Sequence, residues 1–234
     1  VKVRVRTDAL LVRHAPFGDA DVMVTFFTEE RGLLSAVARS ARRSARRFPA
    51  LEPMHLLRVG LEERPGADVL TLVESALARP RLGLAGSLEK LDAAGRALRW
   101  VRRAAPPHTP EPGLWGEINA LLDRLDAAGP GASAEALLAG AGLRLLAAMG
   151  WGLDLLRCVR CGRVCDAGAS AYVDAAAGGL VCRACGGART VLRAERRSRL
   201  HAASAGEGDD SGLDADDVAA ALGIVEEALE AHVQ

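Results

Sequence analysis

Along the first eighty residues, apolar positions alternate with polar ones or gather in short blocks. Val3 and Val5 alternate with Arg4 and Arg6, and residues 9–12 (ALLV) extend the same run. Val22, Val24, Phe26 and Phe27 form a second run, residues 33–38 a third, 54–61 a fourth and 69–76 a fifth. A period of two places every second side chain on one face, the pattern of a half-buried strand. Phe26 and Phe27 therefore point to opposite faces, and one of them is expected in the core. Residues 14–19 (HAPFGD), 29–32 (EERG) and 63–68 (ERPGAD) carry turn chemistry, and the second of these makes 20–40 a hairpin. Five strands in so short a stretch predict a small barrel, for which the OB-fold is the commonest five-stranded candidate.

Pro80, Gly83 and Gly86 end this pattern, and the spacing becomes helical. Leu88, Leu91, Ala94, Leu98 and Val101 recur at intervals of three and four. A proline-rich break at 106–112 follows. Helices then fit 114–127 and 133–149, with Ser133 placed to receive a backbone N–H at the second start. Two more are expected over about 191–203 and 214–231, separated by 204–212 (SAGEGDDSG), which reads as a flexible loop. Asp214 caps the last helix, and Asp216 and Asp217 sit in its first turn, where the helix dipole favours acids. The fold class is α+β: a five-stranded OB-fold barrel over 1–79, then an α-helical domain over 80–234.

The core is aliphatic, since apolar residues make up 50% of the chain and aromatics 3%. Trp100, Trp115 and Trp151 are expected on helices, packing that core. No apolar run reaches membrane-spanning length and nothing reads as an export signal, so reduced thiols and the cytoplasm are expected. The formal net charge of zero hides a segregation. Residues 200–234 hold nine acids and no Lys or Arg, which leaves 30 basic against 21 acidic side chains over 1–199. A basic body points to a polyanion as partner.

Two C-x-x-C pairs, Cys158/Cys161 and Cys182/Cys185, are separated by the twenty residues 162–181. One tight turn lets both thiols of a pair face one ion, and a second pair at this distance completes a tetrahedron. Gly162, Gly178, Gly179, Gly186 and Gly187 supply the backbone freedom such turns need. Four thiolates close the shell, so the expected cofactor is a structural Zn2+ in an insert at about 157–187. A redox pair and buried, unligated thiols are the alternatives. Cys165 could replace Cys161 through C-x-x-x-C spacing.

Arg39, Arg42, Arg43, Arg46 and Arg47 fall within nine residues, and no acid occurs between Arg31 and Leu51. Small serines and alanines between them leave the guanidinium groups free to fork onto phosphates. Contact with a DNA or RNA backbone is expected, without sequence readout and with a steep salt dependence. A solvated basic loop is the alternative. Phe48, beside the run, reads either as a stacking platform or as a packing anchor. Nucleophile, phosphate-loop and acidic nuclease signatures are not found, and the five histidines are scattered, so no enzyme is expected.

The order of these features resembles the bacterial RecO-type DNA repair and recombination proteins. The resemblance is carried by 9–13 (ALLVR), 17–21 (FGDAD), 24–28 (VTFFT), 31–38 (RGLLSAVA), the arginine run, 51–53 (LEP) and the two C-x-x-C pairs with Gly178-Gly179 between them. It implies an OB-fold followed by a helical domain carrying zinc. It also implies binding of single- and double-stranded DNA, annealing of complementary strands, and loading of RecA onto DNA coated by single-strand-binding protein. The implied partners are RecR and the acidic C-terminal tail of single-strand-binding protein, in the cytoplasm at the nucleoid. By position, the five arginines would contact DNA and Cys158, Cys161, Cys182 and Cys185 would hold the metal. Cys165 is an extra thiol, some members lack the zinc site, and the basic C-terminal stretch expected of the family is not found before Gln234. An RNA- or ribosome-associated OB/zinc binding protein is the competing expectation, and an enzyme with a structural zinc module a third.

Overall fold

The computed structural model describes residues 3–43, 48, 51–64, 66–188, 190–207 and 210–233. They group into two compact units, Val1–Asp126 and Ala127–Gln234. Among the described residues, no helix is long and apolar enough to cross a membrane.

The first unit opens with strands β1 (Val3–Phe17), β2 (Asp21–Thr28), β3 (Gly32–Ala38), β4 (Leu56–Glu63) and β5 (Leu70–Arg79). They form a closed barrel in the order β1-β2-β3-β5-β4, shut by the antiparallel pairing of β1 with β4. Among the described strands of the barrel, only β3 and β5 pair in parallel. Alternation sorts the side chains. Leu11, Val24, Phe26, Leu34, Ala36, Val59 and Leu72 fill the barrel. Leu10, Phe27 and Leu33 stand in one cross-strand row on the opposite face. Phe27 is nevertheless fully buried, because Trp115 of α2 (Pro112–Ala127) packs on it with ring centroids 5.7 Å apart. Both phenylalanines of β2 are thus core residues, one inside the barrel and one beneath a helix.

β1 continues through Pro16, opposite Val22, so the expected turn at 14–19 shrinks to the residues after Phe17. The reason is pairing. β1 serves β4 along its first half and β2 along its second, with a register shift between Leu11 and Arg13 where it changes partner. That shared role outweighs the local turn chemistry.

The chain leaves β5 through the buried Arg81. Its guanidinium donates to Asp123 Oδ1 (2.7 Å), Asn119 Oδ1 (2.9 Å) and the Met54 carbonyl (2.7 Å), tying α2 to the barrel end. Burial lowers the pKa of Arg81, and Asp123 pulls against that change. α1 (Leu88–Ala104) starts at Ser87, whose side chain accepts from the Lys90 N–H. The proline-rich 106–109 segment lies along β3, with His108 N–H donating to the Leu33 carbonyl (3.1 Å). Gly32 makes that approach feasible, since a Cβ there would sit 2.0 Å from the Thr109 carbonyl oxygen, and its φ is +58°.

In the second unit α3 (Ala134–Ala148) is buried nearly all round, as a central helix must be, and packs against α4 (Ala194–Ala205) and α5 (Ala215–His232). Ser133 and Asp214 cap α3 and α5 as their positions suggest, and Asp214 forms a reciprocal capping box with Asp217. Asp217 is fully buried. Burial opposes its ionisation, but hydrogen bonds from Arg199, Arg196 and the Asp214 N–H hold its carboxyl below the usual range. Of the expected loop at 204–212, residues 208 and 209 lie outside the described residues, Ser204 and Ala205 belong to α4, and 210–212 form a helical turn. Asp210 is buried, paired in two-pronged fashion with Arg144 of α3 (3.1 and 3.2 Å), and seated against Gly140, where a Cβ would meet its carboxylate at 2.1 Å. Trp151 lies beyond α3 rather than on it and stacks on His232 (centroids 5.1 Å). Between α3 and α4 the cysteine segment forms a small sheet: β6 (Asp154–Cys158), β7 (Ala171–Asp174), β8 (Gly179–Val181) and β9 (Thr190–Leu192), in the order β6-β8-β7-β9.

The glycines of the barrel give a direct test. Gly18 has φ +59° and open space around its Cβ position, whereas Gly32 has the same backbone and a carbonyl in the way. Gly18→Ala is expected to cost about 1 kcal/mol in urea unfolding, from the left-handed backbone alone. Gly32→Ala is expected to cost more than about 3 kcal/mol, because backbone must move. Equal losses would contradict the packing of 106–109 on β3.

Candidate metal centre and nucleic-acid interface

Strand geometry brings the two cysteine pairs together. β6 and β8 run parallel, with Asp154 beside Gly179 and Cys158 beside Leu180. One strand ends on Cys158 and the other one residue before Cys182. A Cβ on Gly179 would lie 2.4 Å from the Asp154 carbonyl oxygen, so only glycine allows this pairing. Each strand then enters the same kind of turn. Gly162 N–H donates to the Cys158 carbonyl (2.8 Å) and Gly186 N–H to the Cys182 carbonyl (3.1 Å), at φ of +72° and +60°. Arg160, in the first turn, donates to the Gly186 carbonyl (2.5 Å) and to Asp174 (3.2 Å), locking the turns to each other.

The sulfurs of Cys158, Cys161, Cys182 and Cys185 all lie within 4.8 Å of one another, and those of Cys161 and Cys182 are 3.8 Å apart. A tetrahedron of thiolates with bonds of about 2.3 Å requires sulfur separations of about 3.8 Å. The four residues therefore fit a metal ion in a closed shell, with no position left for a substrate. Their electrostatics agree. The Cys182 N–H, 3.3 Å from Cys158 Sγ, leads the causes that bring the Cys158 thiol down to about 6. Cys182 is lowered as well, first by a backbone hydrogen bond at Cys185. Cys185 is pushed up to about 12 by the hydrogen bonds it shares with Cys182 and Cys161. Sulfurs so close cannot all ionise unless a cation sits among them.

Cys165 stays out of the group. Its backbone N–H bonds the Leu156 carbonyl (2.9 Å), and burial pushes its thiol up. The buried Arg197 of α4 fastens this loop, donating to the carbonyls of Ala169 (3.0 Å), Cys165 (3.1 Å) and Asp166 (2.5 Å). The clustered sulfurs include that of Cys161 and not that of Cys165. Nothing in the sequence marks Arg197 for this role beyond its place in α4.

The arginine run begins where β3 ends. Ser40 N–H donates to Asp21 Oδ1 (2.8 Å) and Arg42 N–H to the Ala20 carbonyl (3.0 Å), which fastens the start of the run to the β1–β2 turn. The side chains of Arg39, Arg42 and Arg43 are exposed. Arg42 reaches the Gly18 carbonyl (3.3 Å), and no carboxylate among the described residues pairs with any of the three. Arg46 and Arg47 lie outside the described residues. Phe48 is 5% exposed and belongs to the barrel core, with Ala41 and Leu51 against it. It is a packing anchor, not a stacking platform. A groove elsewhere on this unit, lined by Arg6, Arg58, Arg79, Glu29, Glu30 and Trp115, is of mixed sign. Its arginines are already paired, with Glu74 (2.5 Å), Asp8 (2.9 Å) and Asp123 (2.5 Å) respectively.

Cys182→Ser is expected to abolish metal retention after dialysis against a chelator, and Cys165→Ser to leave it intact. Equal loss in both would contradict the assignment of the shell. Since bound thiolates must shed their protons, affinity for Zn2+ should fall steadily as pH is lowered through neutrality, in a competition with a chromophoric chelator. A pH-independent affinity would rule out thiolate ligation.

Comparison with known proteins gives these two features a common setting. Residues 3–81 match the family model described as "Recombination protein O N terminal", and residues 85–234 match "Recombination protein O C terminal". The chain is 38% identical over 183 residues to the "DNA repair protein RecO" of Anaeromyxobacter sp. (strain K), covering 78% of this chain and 70% of that one. It is 37% identical over 185 residues to the protein of the same name from Myxococcus xanthus (strain DK1622), covering 76% and 71%. With that from Syntrophotalea carbinolica (strain DSM 2380 / NBRC 103641 / GraBd1), identity is 32% over 180 residues, covering 76% and 68%. The barrel and the helical, cysteine-bearing part both fall within the two family-model matches, and the chain belongs to the RecO family of DNA repair proteins.

Proposed function

We propose that the chain is a non-enzymatic recombination mediator. It binds single- and double-stranded DNA, brings complementary strands together and helps load RecA onto DNA coated by single-strand-binding protein. The observation that carries this reading is the run of exposed, carboxylate-free arginines at one end of the barrel, Arg39, Arg42 and Arg43, which the sequence continues to Arg46 and Arg47. Guanidinium groups held on a fixed base neutralise backbone phosphates without reading bases, so two strands can approach and pair without ATP. Residues 1–79 are the nucleic-acid-binding domain in this reading. Residues 80–234 supply the docking surface for RecR and for the acidic tail of single-strand-binding protein. The ion held by Cys158, Cys161, Cys182 and Cys185 is Zn2+, which four thiolates favour, and its role is to hold the second unit in shape. The protein acts in the cytoplasm, at the nucleoid.

The test is annealing of complementary oligonucleotides pre-coated with single-strand-binding protein, followed by fluorescence transfer. Replacing Arg39, Arg42, Arg43, Arg46 and Arg47 with Ala should slow annealing and reduce the salt slope of duplex binding by as much as about 4. Unchanged affinity and slope would overturn the loop assignment. A preference for structured RNA over DNA would favour an RNA-associated protein instead.

A further inference from the structure

A second charged surface lies on the cysteine segment. Between residues 155 and 193 the sequence holds six arginines and only two acids, Asp166 and Asp174. Asp174 is engaged by Arg160 and by the Ala177 N–H (3.0 Å). Strand β6 and the chain returning after the first turn make a hairpin. Cys158 N–H donates to the Arg163 carbonyl (2.8 Å), Arg157 bridges to Val164, and Cys165 N–H donates to the Leu156 carbonyl. Every residue from Val159 to Val164 is exposed, so the hairpin end projects into solvent. The side chains of Arg157 and Arg163 on the hairpin, and of Arg183 on the tip of the neighbouring turn, are exposed, and no carboxylate among the described residues pairs with them. Exposed aliphatic side chains stand between these arginines: Leu156 (49%), Val159 (38%) and Val164 (59%).

We propose that this hairpin end, with Arg183 beside it, is a second nucleic-acid contact, and that it takes a single strand. The inference rests on the reading of the chain as a DNA-handling protein and adds a site in the other compact unit from the arginine loop. Unpaired guanidinium groups select an anionic backbone. The aliphatic side chains select its form. A duplex shows phosphates and sugars at its surface and hides its base faces, whereas an unpaired base offers a flat apolar face to lie on Leu156, Val159 and Val164. A peptide with apolar anchors needs a recess to fill, and a projecting turn supplies none. One contact in each unit would let the protein hold two strands at once.

The experiment measures binding of a fluorescent oligothymidylate and of a duplex of equal length, by anisotropy over a salt series, with full-length protein. Arg157→Ala/Arg163→Ala/Arg183→Ala is expected to lower oligothymidylate affinity by about tenfold and its salt slope by about 2, leaving duplex affinity within about twofold. Val159→Ser/Val164→Ser is expected to weaken oligothymidylate binding with the slope unchanged, because it removes apolar contact and no charge. Both variants should keep the wild-type ratio of zinc to protein, which separates a lost contact from a lost fold. Unchanged oligothymidylate binding overturns the proposal. So does an equal loss on duplex, or loss of binding to an acidic, leucine-bearing peptide with DNA unaffected. The arginine-loop variant distinguishes this failure from that of the broader reading. If only the hairpin variants lose single-stranded DNA, the loop assignment falls and this contact stands; if only the loop variant does, the reverse holds.

Discussion

The parallel pairing of β3 with β5 is the constraint from which the first unit follows. Since β5 and not β4 lies beside β3, the chain runs from β3 to β4 through a long connection, residues 39–55. Within that connection Phe48 is buried in the barrel core. The hydrogen bonds from Ser40 and Arg42 to the β1–β2 turn settle where Arg39, Arg42 and Arg43 stand. Their exposure is thus a consequence of strand order. An aliphatic barrel poor in aromatics has little to stack on a base, and the charge on its rim is what remains for binding a polyanion.

The second unit solves a different problem with the same device. Its small sheet has strands of three to five residues, too short to bury much. The parallel pair β6 and β8 aligns two glycine-ended turns, and the four sulfurs they present could all ionise only around a cation. Arginines do the remaining fastening. Arg197 holds the Cys165 loop through three carbonyls, and Arg144 holds Asp210 against Gly140. In both units, then, irregular chain is fixed by a few directed contacts to regular elements, and charged side chains not used for fastening face solvent.

Features with a strong local signal were legible in the sequence. The period-two runs located all five barrel strands, Ser133 and Asp214 marked two helix starts, and the doubled C-x-x-C spacing picked out the four sulfurs that cluster. What escaped notice depends on partners distant in sequence. Pro16 reads as a turn residue until β1 is seen to serve two neighbours. Arg81 reads as solvated until Asp123, Asn119 and the Met54 carbonyl surround it, because arginine is seldom buried without such partners. Asp210 sits in a stretch whose composition signals flexibility, and the pairing with Arg144 and the notch at Gly140, both distant in sequence, explain its burial. The strands of the cysteine segment were too short to show a period.

The central claim is that the arginines at the barrel end, and not the paired arginines on its sides, meet the nucleic-acid backbone. Arginine-selective chemical labelling read by mass spectrometry, with and without saturating single-stranded DNA, addresses it residue by residue. Arg39, Arg42 and Arg43 should be labelled in the free protein and protected by DNA, while Arg6 and Arg58, already bound to Glu74 and Asp8, should show the same labelling in both states. Protection of Arg6 and Arg58 with Arg39, Arg42 and Arg43 still open to reagent would contradict the account.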